Sequence, residues 1–234
     1  MERVIGIDGC RGGWVRCVLT RGGGVALDVR ETFAEAAADR ADLILVDMPI
    51  GLADEGDRAA DLEAKRALGR RHMCVFPAPP RGVIGIDDYA AASAESHRLT
   101  GRKLSKQAWN IVPKIREVDG AMRAGTASPV RECHPEVCVW GLAGVPEPEP
   151  KRTRAGATAR LVVLERFVPG VEDVVERFLA GTPASVLQRD DAVDAVICAV
   201  TAAGVWDGTL RTLPASPPRD RHGLPMEMVY RVPG

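Results

Sequence analysis

The first fifty residues constrain the fold of this chain more than any other stretch. Val4-Ile5-Gly6-Ile7-Asp8 reads as a buried strand, and Trp14–Leu19 and Val25–Thr32 read as two more. The turns between them, Gly9-Cys10-Arg11-Gly12-Gly13 and Gly22-Gly23-Gly24, are too short for a parallel crossover, which needs about a dozen residues or more. The three strands therefore form an antiparallel meander. Phe33–Arg40 carries a short helical pattern. Leu43-Ile44-Leu45-Val46-Asp47 is an apolar run of strand length, ended by Met48-Pro49, and such a run fits a strand covered on both faces.

Few folds open on three antiparallel strands, a helix and a buried strand. The pattern predicts an α/β protein with an RNase H-like mixed sheet, antiparallel in its first three strands and parallel afterwards, flanked by helices. Asp54–Gly69, Asp87–Gly101 and Ser105–Gly125 have helical periodicity and end on glycine, with Pro113 predicting a kink or break in the last. Val75–Arg81 reads as an extended loop. The expected organisation is a single domain over 1–234 with a helical insertion at about 53–128. Val130–Val139 returns to strand character, Pro146–Lys151 is a loop, and Ala155–Phe167 and Val171–Ala180 are helices. Asp191–Trp206 is a strongly apolar helix, and an edge strand is expected near Met228-Val229-Tyr230.

The acidic residues at the ends of these elements point to chemistry. Asp8 ends the first strand on the same side as Val4 and Gly6. Asp47 ends a buried strand at its carboxyl edge, where open α/β sheets place their ligands. Asp194 is the only charge between Ala192 and Ala203, in a helix apolar on nearly every face. Such a helix is buried, and a buried carboxylate is costly unless paired or bound to a cation. Asp191 lies three residues earlier, on the same helical face. Together the four suit a metal centre in which two divalent ions, about 3.5–4 Å apart, cleave a phosphodiester bond. All-oxygen ligands select Mg²⁺ or Mn²⁺ over zinc. Each acid also has a plainer role available: Asp191 as a helix-start residue, Asp194 as the partner of an arginine, and Asp8 and Asp47 as turn residues.

Glu132-Cys133-His134-Pro135-Glu136 concentrates further ionisable groups. Glu132 is a candidate additional catalytic ligand, and His134 can move protons near neutral pH or bond a backbone carbonyl. Arg81, Lys114 and Lys151 are candidate phosphate-binding cations, with ordinary surface charge as the alternative. Gly9 with Gly12-Gly13 resembles a phosphate-cradling loop only weakly, lacking the Lys-Ser/Thr that completes one. The six cysteines contain no Cys-x-x-Cys pair, which argues against a structural zinc site or a disulfide framework.

Net charge is −1, so no global basicity marks a nucleic-acid binder. The charge is unevenly spread: residues 1–62 hold 7 basic and 12 acidic side chains, 63–116 hold 11 and 4, and 117–234 hold 13 and 16. A basic middle between acidic flanks suits a polyanion approaching a metal-binding core, and also suits a set of solvated helices. No run approaches the roughly 18 apolar residues of a membrane span. The start of the chain shows neither a basic leader nor a cleavage site, so a cytoplasmic protein is expected.

Several stretches together resemble a bacterial and archaeal family known as domain of unknown function 429. They are Gly6–Trp14, Asp47–Leu52, Val75–Pro79, Leu104–Ile111, Pro113–Ile115, Glu132–Glu136 and Asp190–Ala195. The resemblance implies an RNase H-like fold and predicted nuclease activity. The acidic pattern is also similar to that of Holliday-junction resolvases, with Asp8, Asp47, Asp191 and Asp194 in the four acidic roles. Asp47 stands where those enzymes carry glutamate, and the helical insertion sets this chain apart from them.

The resulting expectation is a metal-dependent nuclease acting on DNA or RNA, with no membrane partner. A homo-oligomer is allowed, with the tryptophan-bearing helices of the insertion as an interface. Three alternatives stand beside it: a non-catalytic metal- or nucleic-acid-binding protein, a hydrolase of a small phosphorylated metabolite, and a phosphotransferase of the actin and sugar-kinase group. The last normally uses two such domains around a nucleotide, and this chain has room for one.

Overall fold

The computed structural model describes residues 2–146 and 149–233. Glu147 and Pro148, in the loop expected at 146–151, lie outside the described residues. The sheet comprises β1 (Arg3–Cys10), β2 (Gly13–Thr20), β3 (Val25–Arg30), β4 (Leu43–Val46) and β5 (Val130–Glu132), in the spatial order β3-β2-β1-β4-β5. β1, β2 and β3 pair antiparallel, whereas β1–β4 and β4–β5 are parallel. The mixed α/β sheet expected from the short turns and the later apolar run is thus present. A separate hairpin, β6 (Leu210–Leu213) with β7 (Met228–Arg231), supplies two strands where one edge strand was expected.

The helices are α1 (Phe33–Ala36), α2 (Ala59–Leu68), α3 (Tyr89–Thr100), α4 (Lys106–Ala124), α5 (Pro135–Ala143), α6 (Arg154–Glu165), α7 (Val171–Ala180) and α8 (Arg189–Ala202). Strand alternation sorts the core into two layers. Val4, Val15, Leu43 and Leu45 pack with α8 and residues of α5, α6 and α7 on one face. Ile5, Ile7, Ile44 and Val46 pack with Phe33, Val112, Ile115 and Val118 on the other. Within the stretch expected as an insertion, α4 therefore forms one wall of the central core. α2 and α3 contribute to smaller apolar clusters outside it. Among the described residues, no helix is long and apolar enough to cross a membrane.

Three local expectations change. The strand expected over Val130–Val139 stops at Glu132, and Pro135 opens α5. Proline lacks the amide that a first helical turn leaves unpaired, and its fixed φ suits that position. The apolar run Val137–Leu142 is consequently a buried helix. α1 ends at Ala36, well before Arg40. α4 continues through Pro113 without a break, held by burial of Val112, Ile115 and Val118 against the sheet.

The contact between α8 and β1 is unusually close. A Cβ on Gly6 would lie 2.2 Å from both the Ala195 carbonyl oxygen and the Ala199 amide nitrogen. Only glycine leaves room for helix backbone at that point in the sheet. Gly6→Ala is expected to destabilise the protein by at least about 1–3 kcal/mol, since neither neighbour is a movable side chain. Chemical denaturation checks this, and a variant as stable as wild type would show that α8 does not need that approach.

Candidate functional site

Strand register brings the first two acids together. Ile7 aligns with Val46, and the Asp47 amide donates to the Ile7 carbonyl at 2.9 Å. Asp8 and Asp47 therefore leave neighbouring parallel strands at corresponding positions, on the Gly6 and Leu45 face. That face is the one α8 covers, and α8 carries Asp194. Carboxylate oxygens of Asp8, Asp47 and Asp194 all lie within 4.8 Å of one another. Asp194 is fully buried, Asp8 nearly so and Asp47 partly exposed.

This crowding penalises negative charge. Burial, then repulsion from Asp47 and Asp194, pushes the Asp8 carboxyl well above its ordinary range. Burial also dominates at Asp47, which is pushed up to about 6 even though His134 and Lys151 draw it down. Asp194 is likewise raised by burial, against the pull of Lys151 and Arg160.

Cations answer part of this charge. Lys151 Nζ donates to Asp194 Oδ2 at 2.6 Å, and Arg160 Nη1 donates to Asp194 Oδ1. Arg160 Nη2 donates to Glu136 Oε1 at 3.0 Å. His134 Nδ1 lies 3.1 Å from Glu136 Oε2, an ion-pair contact outside good hydrogen-bond alignment. Burial alone would lower His134, but Glu136 and Asp47 outweigh it and lift the imidazole to about 9. The imidazole is therefore a cation at neutral pH. Glu136 is held well below its ordinary range because His134 and Arg160 overcome its burial.

Asp191 stands at the rim. Its Oδ2 accepts the Gln188 amide at 3.0 Å in a reciprocal capping box at the start of α8. It is not one of the three clustered ligands, although its charge still acts on Asp8. The helix-start role open to it in the sequence is the one it fills.

Glu132, Arg81 and Lys114 are engaged elsewhere. Val130 and Glu132 alternate onto the α4 side of the sheet, so Glu132 points away from the Asp47 face. There it receives Arg58 at 2.6 Å and 2.7 Å and the Ile50 amide at 2.6 Å, with Asp61 completing the buried network. Arg81 is buried between Asp119 and Asp220. Lys114 lies over the Trp14 ring and donates to the Gly13 carbonyl at 2.5 Å. Much of the basic middle is spent internally in this way, with Arg98, Arg102 and Arg116 paired to Glu95, Asp57 and Asp87.

Of the proposed supporting groups, Lys151 and His134 do reach the acids. Glu136 and Arg160 were not singled out from the sequence. Arg160 did leave a signal: it interrupts a stripe at four-residue spacing, Gly156-Arg160-Leu164, in which all three residues are buried. A buried arginine in an apolar stripe calls for a buried acid opposite.

A family model described as "Protein of unknown function (DUF429)" matches residues 6–219. The chain belongs to the DUF429 family. No curated protein and no solved structure matches it. The family match spans all three clustered acids of this DUF429 chain and their four charged neighbours.

Two outcomes check this geometry. Asp47 ionises with an unfolded-state value of 3.8 and a folded value of about 6, so its contribution favours folding at low pH and is lost as pH rises through that interval. Asp47→Asn is expected to stabilise the metal-free protein above pH 6, by at most about 3 kcal/mol, with the gain vanishing below about pH 4. Denaturant midpoints measured across pH test the sign. Glu132→Gln is expected to cost about 3–5 kcal/mol by leaving Arg58 undercompensated. Its binding of divalent metal, measured below the unfolding transition, should match wild type.

Proposed function

We propose that this protein is a divalent-metal-dependent phosphodiester hydrolase, a nuclease, whose centre is Asp8, Asp47 and Asp194. The observation that carries this reading is the convergence of the three carboxylates at the carboxyl end of β1 and β4. The strand order supports it, since an RNase H-like sheet places acids on its first and fourth strands beneath a final helix. The donor set fits Mg²⁺ or Mn²⁺: all three groups are hard oxygen ligands, and burial, with like charge adding to it, pushes all three toward protonation when no cation is bound. Asp8, Asp47 and Asp194 would hold a divalent ion, which would supply Lewis-acid stabilisation of charge at a phosphoryl oxygen.

The chain's own groups set the rest. Arg160 holds Asp194 in one orientation and Glu136 in another, which fixes the centre before substrate arrives. His134 is a cation beside Glu136, near enough for its charge to act on Asp47, and is suited to hold a substrate oxygen or to donate a proton to a departing one. Six free cysteines, five of them buried, suit a reducing compartment, and we assign the protein to the cytoplasm.

One observation favours a second reading. The Lys151 ammonium bonds Asp194 and also draws down Asp8 and Asp47, so a cation of the chain itself already serves all three acids. Under that reading the centre binds a phosphorylated ligand without metal and without turnover. Calorimetric titration of Mn²⁺ and Mg²⁺ into wild type, Asp8→Asn and Asp194→Asn separates the two, combined with assays on single-stranded, duplex and branched DNA and RNA. Metal binding and cleavage lost together in both variants is the expected result. Wild type that binds no metal, even with nucleic acid present, would overturn the nuclease reading and leave the second.

A further inference from the structure

Beside the acidic centre, and sharing Asp194 with it, is a cleft of about 570 Å³. That volume lies within the ordinary range of small-ligand sites. Five cations line it, Arg11, Lys151, Arg152, Arg160 and Arg189, against two carboxylates, Asp190 and Asp194. The two innermost cations are committed: Arg160 to Asp194 and Glu136, Lys151 to Asp194. Arg189 is shared with Glu172 and Glu176. The two outer ones differ. Arg152 is 84% exposed and only 3.9 Å from Asp190, a loose contact. Arg11 is exposed at the tip of the β1–β2 hairpin and forms no ion pair among the described residues.

The backbone beside Arg11 is nevertheless placed by packing. The Gly12 amide donates to the Val186 carbonyl at 2.8 Å, and a Cβ on Gly12 would lie 2.4 Å from Val186 Cγ1. The hairpin tip is therefore fastened to the segment leading into α8, and Arg11 borders the same cleft as Gln188 and Asp190. The glycines that weakly suggested a phosphate loop act at one remove, by seating an arginine. A guanidinium at the mouth of a cationic cleft, with no ion pair among the described residues, is suited to an anion that arrives with the ligand.

We infer that this cleft binds a backbone phosphate adjacent to the one at the acidic centre, so that the substrate is a phosphodiester strand carrying at least two phosphates. The inference rests on the proposed nuclease reading for the phosphate at the acids, but the cleft itself needs no metal. Arg11 and Arg152 take the second phosphate at the mouth, and Lys151 lies between the two positions. A single phosphate on a small metabolite fills only one of them.

The test uses fluorescence anisotropy of a labelled single-stranded oligonucleotide, in chelator, against wild type and an Arg11→Glu/Arg152→Glu double variant. Both side chains are exposed, so the variant keeps its core. We expect wild type to bind and the variant to lose about tenfold or more, with the slope of log affinity against log salt flattening by roughly 0.7 for each phosphate contact removed. Inorganic phosphate and a mononucleotide serve as competitors and should displace the strand only at far higher concentration. Equal strand affinity in wild type and variant would overturn the inference, as would a mononucleotide that competes as well as the strand. Mn²⁺ titration of the same double variant separates this from the nuclease reading. Strand binding lost with metal binding kept supports the cleft. Arginine-dependent strand binding in a protein that takes up no metal keeps the cleft while the nuclease reading falls.

Discussion

The close seating of α8 on β1 at Gly6 is the contact on which the remaining architecture depends. It puts helix backbone against strand backbone, with no side chain between them. At that separation Asp194, just over one helical turn before Cys198, lies within reach of Asp8 and Asp47. A carboxylate carried into the core in this way demands compensation. Arg160 from α6 and Lys151 from the preceding loop provide it, and Arg160 in turn recruits Glu136 and, through it, His134 from the start of α5. One missing methyl group thus leads to an ionic chain joining four segments of the molecule.

Much of this was legible in the sequence. The sheet followed from turn lengths and from the contrast between alternating and continuous apolar strands, both local signals. Asp8 and Asp47 were readable as strand-end acids, and Asp194 as a lone charge in an apolar helix. The misplaced residues depended on information a sequence carries poorly. Glu132 lies on a strand of three residues, too few for alternation to declare which face it takes. Arg81 finds Asp119 and Asp220 at separations of 38 and 139 residues, pairings that no local pattern announces. Val137 and Val139 look like strand residues, and the helix start at Pro135 overrides that propensity.

The cationic character of the molecule is similarly redistributed by folding. The sequence locates it in the stretch 63–116, yet many of those side chains meet carboxylates or aromatic rings nearby. A cluster of five cations instead lines the cleft at the entry to α8, drawn from residues far apart in the chain, and four of the five are shared with carboxylates. Regional counts of charge therefore say little about where a fold leaves that charge available to a ligand.

The parity of β5 has a wider consequence. Glu132 faces one side of the sheet and Cys133 the other, so two buried ionic assemblies lie back to back across β4 and β5. The Arg58 assembly ties the chain after β4 to β5 and α2, and the Arg160 assembly ties α5, α6 and α8 around the acids. The sheet works as a bulkhead between framework and workplace. Charge can be added, removed or neutralised in one compartment while the fastenings in the other stay made.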